Sequence, residues 1–221
     1  MRAAHYCQSC GKVQPAAPVD YFSFFGLPRK LNLDVEALER DFYALSRKLH
    51  PDLYAQSNEA EQRKWSLEKS SQLNDAYRTL KDPVARTEYL LRLQGVDWDE
   101  QSTQATEAAR ASGKTKKQVV PPDMLEEVFE LNMQIEELRM NQKMGEQDLD
   151  LIEQLREHKK SLQLKLAVVD EELRSGWTAW DTLEDAGVAS AKPMIQQLVD
   201  VLNRRSYIRN LVRDVNEALE T

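Results

Sequence analysis

A single proline constrains this chain most. Pro51 sits in the run His50-Pro51-Asp52, with an amphipathic helical pattern on either side of it. Upstream, Leu38, Phe42, Leu45 and Leu49 recur at helical spacing, and downstream Leu73, Ala76, Tyr77 and Leu80 do the same. Proline lacks a backbone donor and disfavours helix at the residue before it, so the tripeptide falls in the connection between two helices. Taken alone, these three residues read as an ordinary helix stop, with Asp52 opening a turn. Their flanks carry more information.

A length of 221 residues suits one large domain or two small ones, each with a modest core. Charged residues make up 30% of the chain, with only seven glycines and eight prolines, which favours helix over a turn-rich β architecture. The net charge of −7 argues against a nucleic-acid partner. Met1-Arg2-Ala3-Ala4 has no hydrophobic targeting core, and no apolar stretch approaches a membrane span, so the expectation is a cytoplasmic protein with no membrane role. Two cysteines at Cys-x-x-Cys spacing make no disulfide framework, in keeping with a reducing compartment.

Four segments follow from the pattern. Residues 1–19 form an extension ending in Pro15-Ala16-Ala17-Pro18, and residues 20–95 a first helical domain. Residues 96–122 read as a flexible linker, because 99–120 is rich in Gln, Ser, Thr, Ala and Lys without aromatics. Residues 123–221 read as a helical bundle, with Asp123 as N-cap of its first helix. One apolar stripe there holds Leu125, Val128, Phe129, Leu131, Ile135 and Leu138; a second holds Leu149, Ile152, Leu155, Leu162, Leu166, Val169 and Leu173. Met144-Gly145-Glu146 is the break between them. Gly176 and Gly187 bracket an irregular patch with Trp177 and Trp180, and a third helix runs from about Lys192 to Leu219. The expected fold is all-α, ending in an antiparallel three-helix bundle.

The flanks of the tripeptide resemble a known module. Asp20-Tyr21-Phe22-Ser23-Phe24-Phe25-Gly26-Leu27-Pro28 is similar to the short opening helix of J domains, which stimulate ATP hydrolysis by DnaK-like chaperones. Asn74-Asp75-Ala76-Tyr77-Arg78-Thr79-Leu80-Lys81-Asp82-Pro83 resembles the end of their third helix, and Arg86, Tyr89, Leu90 and Leu91 continue as a fourth. The early Asp20-Tyr21-Phe22 start and the run Arg86-Thr87-Glu88-Tyr89-Leu90-Leu91-Arg92-Leu93-Gln94-Gly95 resemble the HscB type. That resemblance implies a co-chaperone of iron–sulfur cluster biogenesis, whose J domain is followed by a helical domain that binds an IscU-type scaffold. The Gly/Phe linker and four cysteine repeats of general DnaJ proteins are excluded by seven glycines and two cysteines.

By the same resemblance, His50, Pro51 and Asp52 contact a DnaK-like (HscA-type) chaperone. Pro51 fixes the corner, Asp52 offers an acceptor to an arginine, and His50 is a polar donor. Arg40, Arg47 and Lys48 supply a basic face toward an acidic patch, or else are simply a solvated helix face. Asp41 and Leu53 depart from the usual basic residues there. No serine, cysteine or metal constellation accompanies His50, so no catalytic residue is assigned and the chain reads as a non-enzyme. Leu125 and Phe129, one helical turn apart, are the implied scaffold contact, with Glu130 at the rim and Tyr207 completing the patch. The plain alternative is that all of the apolar three are bundle core; an exposed patch is the reading adopted. Asn132 and Met133 stand where the family commonly has charged residues.

Cys7 and Cys10 look like half of the zinc-binding extension that some HscB relatives carry. A structural zinc wants four ligands; His5 is at most a third, and His-x-Cys is tight spacing. A second chain could complete the set and dimerise the protein, but a remnant without metal is the reading adopted. No βαβ pattern supports a redox role. Two rivals remain: a J protein for another client, or an adaptor whose bundle forms a coiled-coil dimer. The chain is expected to be a monomer or weak dimer.

Overall fold

The computed structural model describes residues 5–7, 9, 12–54, 60–96, 124–186 and 192–220. Helix α1 spans Tyr21–Phe25, α2 Val35–Leu49, a 3-10 turn Pro51–Tyr54, α3 Ala60–Lys81 and α4 Pro83–Leu93. Helix α5 follows at Leu125–Met144, α6 at Leu149–Asp185 and α7 at Lys192–Glu220. The chain is all-α, as the sequence predicts. It divides into one unit of Met1–Val96 with Trp177–Ala191, and a second of Asp97–Gly176 with Lys192–Thr221.

In the first unit, aspartates start the helices. The carboxylates of Asp20, Asp34 and Asp82 accept the backbone N–H of Ser23, Ala37 and Ala85 at 2.9, 2.9 and 2.7 Å, satisfying donors that have no partner inside a helix. Gly26 ends α1 at φ 70°, a conformation that favours glycine. Helices α2 and α3 lie antiparallel: the Leu49 carbonyl meets Ser66 (2.8 Å) while Glu39 meets Tyr77 (2.9 Å). Their interface joins Leu38, Leu49, Leu73, Ala76 and Leu80 to Phe22, Phe24, Leu90 and Leu91 in one buried core.

Two parts of this unit differ from the sequence expectation. The extension is packed onto the domain: Tyr6 and Val13 form a β-bridge, and Gln62 of α3 pairs with both backbone groups of a fully buried Val13 (3.0 and 3.2 Å). The second correction concerns Trp177 and Trp180. No irregular patch occurs at Trp177–Asp185; α6 continues through it, and these last turns belong to the first unit. The Asp181 carboxylate accepts the backbone N–H of Leu31 (2.6 Å) and Asn32 (2.9 Å), and the Trp180 indole donates to the Arg29 carbonyl (2.9 Å). The helical bundle expected at 123–221 thus cedes these residues. Glycines bracketing the tryptophans suggested a break, but the backbone donors of the Arg29–Asn32 segment need acceptors, and α6 provides one.

The second unit is an up-down-up bundle. Glu127 of α5 pairs with Lys165 of α6, while Asp170 and Glu172 of α6 pair with Arg205 (2.6 Å) and Arg204 (3.2 Å) of α7. Gly145 closes α5 at φ 76°, at the predicted break. Helix α5 begins behind Met124 at the cap position; the expected cap, Asp123, and the 99–120 linker lie outside the described residues. Val128, Leu131, Ile135, Leu138, Leu155, Leu162, Val169 and Leu173 fill the core as the stripes predict, joined by Leu202, Leu211 and Val215 of α7. Leu149 does not; it is exposed, and Leu151 is buried instead. Gly176 is inside a helix because α7 comes close: a Cβ there would meet Leu198 at 2.9 Å.

Candidate partner-binding surfaces

The first candidate surface is the corner between α2 and α3. Helix α2 stops at Leu49, and the next three residues enter the 3-10 turn, closed by the Leu53 N–H on the His50 carbonyl (3.0 Å). Ser66 donates to the Leu49 carbonyl and the Tyr54 hydroxyl to the Lys48 carbonyl (2.8 and 3.0 Å), so two carbonyls that the helix end leaves open are satisfied. The result is a rigid turn with polar tips. The His50 side chain is 54% exposed and that of Asp52 87%.

Within the turn, the Asp52 backbone N–H donates to His50 Nδ1 (3.3 Å). An accepting Nδ1 leaves Nε2–H as the donor that a neutral ring presents to a partner. Arg47 and Lys48 are exposed on the last turn of α2, and Arg40 is exposed within 4.0 Å of Glu36. All six residues assigned to the chaperone contact therefore lie along α2 and the turn that follows it. His50 Nδ1 also lies 3.5 Å from the Asp52 carboxylate; the corner can bind and orient, through one anion, one ring donor and three cations.

The second candidate surface is on α5. Its inward side is Val128, Leu131, Ile135 and Leu138. Leu125 and Phe129 point the other way, 55% and 68% exposed, with Glu130 exposed beside them. Tyr207 is a correction. At 7% exposure it belongs to the bundle core with Ile208 and Leu211, and burial, with Asp214 nearby, raises its hydroxyl above the usual tyrosine range. Its aromatic ring fits the α7 stripe that packs inward, so it does not complete a surface patch. Sequence reasoning missed Met133, Met140 and Met144, which are also exposed on α5. Spacing of four residues from Leu125 through Phe129 to Met133 was the available signal.

Of the N-terminal cysteine pair, Cys7 is among the described residues. His5 is buried, with Nε2 bonded to the Phe24 carbonyl (2.9 Å) and its ring 4.5 Å from that of Phe24. That nitrogen is engaged by the first unit's core, and Cys10 lies outside the described residues. Two thiolates are half of what a structural zinc takes. Among the described residues no group of three or more His, Cys, Asp or Glu could hold a metal, and no helix is long and apolar enough to cross a membrane.

A capped helical hairpin with a polar His-Pro-Asp corner defines the class, and residues 20–89 match the DnaJ domain family. This is a J-domain chain. A co-chaperone HscB homolog of Azoarcus sp. (strain BH72) is 30% identical over 201 residues, 91% of this chain and 94% of the relative. One from Vibrio cholerae is 45% identical over 86 residues, 38% of this chain and 50% of the relative. The chain belongs to the HscB family of co-chaperones. Its fold is shared with the solved chaperone HscB from Vibrio cholerae (TM-score 0.57, 24% identity, 91% of this chain and 98% of that one). It is shared also with human HscB (TM-score 0.65, 20% identity, 98% and 91%).

Proposed function

We propose that this chain brings an IscU-type iron–sulfur scaffold to a DnaK-like (HscA-type) chaperone and stimulates its ATPase, promoting cluster transfer. The hydrolytic chemistry belongs to the partner. His50, Pro51 and Asp52, flanked by Arg47, Lys48 and Arg40, bias the chaperone toward hydrolysis, and Leu125, Phe129 and Glu130 hold the scaffold. The observation that carries this reading is the pairing, in one HscB-family chain, of an outward polar corner with an outward Leu125–Phe129 pair on a helix whose other side is core. Two adjacent exposed apolar side chains bury little surface in the bundle itself, whereas a docking patch uses them.

Single-turnover ATP hydrolysis by the chaperone tests it, with this protein added alone and together with the scaffold. Stimulation should rise when scaffold is present, and the Leu125→Ala/Phe129→Ala variant should lose that increment alone. Stimulation indifferent to scaffold would point to another client. Absence of any stimulation would leave the adaptor reading.

A further inference from the structure

The buried face of α3 changes character along its length. Its second half buries Leu73, Ala76 and Leu80, whereas its first half buries Gln62, Ser66 and Lys69. Polar side chains go inside at little cost only where they find partners. Two of these, one helical turn apart, hold two different segments of the chain. Gln62 pairs with both backbone groups of Val13, and Ser66 donates to the Leu49 carbonyl (2.8 Å), in the peptide that leads into His50.

The N-terminal extension is folded for this contact. Cys7 donates its backbone N–H to the Lys12 carbonyl (2.9 Å) and Gln14 to the His5 carbonyl (3.0 Å), so the Tyr6–Val13 bridge closes a short hairpin. A lone two-stranded hairpin is marginal in water; this one is pinned by the fully buried Val13 and by His5 Nε2, which donates to the Phe24 carbonyl (2.9 Å). Tyr6 carries a buried hydroxyl without a hydrogen-bond partner among the described residues. Burial first, and then the Tyr54 phenol nearby, raise that hydroxyl above the usual tyrosine range, which sets Tyr6 next to the last residue of the 3-10 turn. Tyr54 in turn donates to the Lys48 carbonyl (3.0 Å). The last two carbonyls of α2 are thus held by Tyr54 and Ser66, and the hairpin neighbours the first and is tied one helical turn from the second.

We propose that the hairpin built on Tyr6 and Val13 is a positioning element for the His50–Pro51–Asp52 corner: by fixing Tyr54 and the Gln62–Ser66 start of α3, it holds the end of α2 in the arrangement that the DnaK-like chaperone binds. The inference rests on the proposed function. The hairpin acts through α3 and the turn, with no contact of its own to the chaperone. Loosening it lowers the population of the competent corner, so the apparent affinity falls by that fraction while stimulation at saturation is kept.

The test is the concentration of this protein that half-saturates stimulation of the chaperone's ATPase, at a temperature where circular dichroism shows each variant fully folded. Gln62→Ala should raise it roughly fivefold, the low end of couplings between distinct sites, with maximal stimulation unchanged. Val13→Ala, a milder change, should shift it in the same direction and carries the test if Gln62→Ala does not fold. Gln72→Ala breaks the other tie of α3 to the extension, at the Ala17 carbonyl (3.4 Å) and ten residues from Gln62, and should titrate like the wild type. Hydrogen exchange supplies a readout that a loss of general stability would not give: the Leu53 N–H on the His50 carbonyl should exchange faster in Gln62→Ala and Val13→Ala, while the Ala85 N–H at the start of α4 should not. If the wild type stimulates but neither variant shifts the titration, or if Gln72→Ala shifts it as far, the inference fails and the proposed function stands. A wild type that gives no stimulation overturns both.

Discussion

The α2–α3 corner and the outer side of α5 are both offered to partners, yet they are built on opposite terms. At the corner, the turn is set mostly by short-range chemistry: a proline that stops α2, a 3-10 closure and the Tyr54 hydroxyl on the Lys48 carbonyl, with Ser66 of α3 on the Leu49 carbonyl as a long-range contact. On α5 nothing local distinguishes Phe129 from Leu131. Both are large and apolar, two residues apart, and only the presence of α6 and α7 on one side makes one exposed and the other fully buried. A polar site can be written into a few neighbouring residues. An apolar site is defined by what fails to cover it.

The sharpest way to break the comparison is at the corner. His50→Gln removes the ring donor from a side chain that no core packing needs, so stimulation of the chaperone should vanish while the thermal midpoint and helical signal stay unchanged. A variant that lost its fold would show the corner to be structural. On α5 the opposite pair of outcomes is expected. Leu131→Ala should cost about 3 kcal/mol of stability in urea unfolding, as for other buried leucines. Phe129→Ala should change stability by less than about 0.5 kcal/mol and affect only scaffold-dependent stimulation. Equal losses of stability would mean that Phe129 is core.

A smaller effect sharpens the account of the first unit. Asp181→Ala leaves the Leu31 and Asn32 amides without their carboxylate acceptor, and the loss should be about 2 kcal/mol, typical of hydrogen bonds to a charged group. Hydrogen exchange at those two amides should quicken; unchanged protection would remove Asp181 from this role. The smallest effect is in acid. Burial alone would raise the Asp20 carboxyl, but the Ser23 N–H and hydroxyl and the Arg29 guanidinium outweigh it and hold the group below the usual range. A depressed folded value means stability that is present above the unfolded pKa of about 3.9 and lost as pH falls through the folded one. Acid unfolding of Asp20→Asn should lack that step; an identical curve would show that the cap contributes nothing.

Much of this architecture was legible in the residues. The helices around Pro51, the close of α5 at Gly145 and most of the bundle stripes appear where periodicity and turn chemistry put them. Three features were not. Tyr207 fitted a docking patch by motif, yet the α7 stripe turns it inward. Trp177 to Asp185 looked irregular because glycines bracket the tryptophans, but Gly176 is a close approach to Leu198 and the helix runs on. The extension at 1–19 carried no obvious anchor, because Val13 and His5 are single residues whose partners, Gln62 and Phe24, are 49 and 19 positions away.

By itself, then, the sequence determined the helices on either side of Pro51, the close of α5 at Gly145 and where the polar corner falls, because capping, proline geometry and helical spacing act over a handful of neighbouring residues. Tertiary structure alone decided which of two apolar sides of α5 faces water, which unit the end of α6 belongs to, and that Tyr207 is inside. Burial depends on surfaces contributed by distant parts of the chain, and no local pattern encodes which neighbour will arrive.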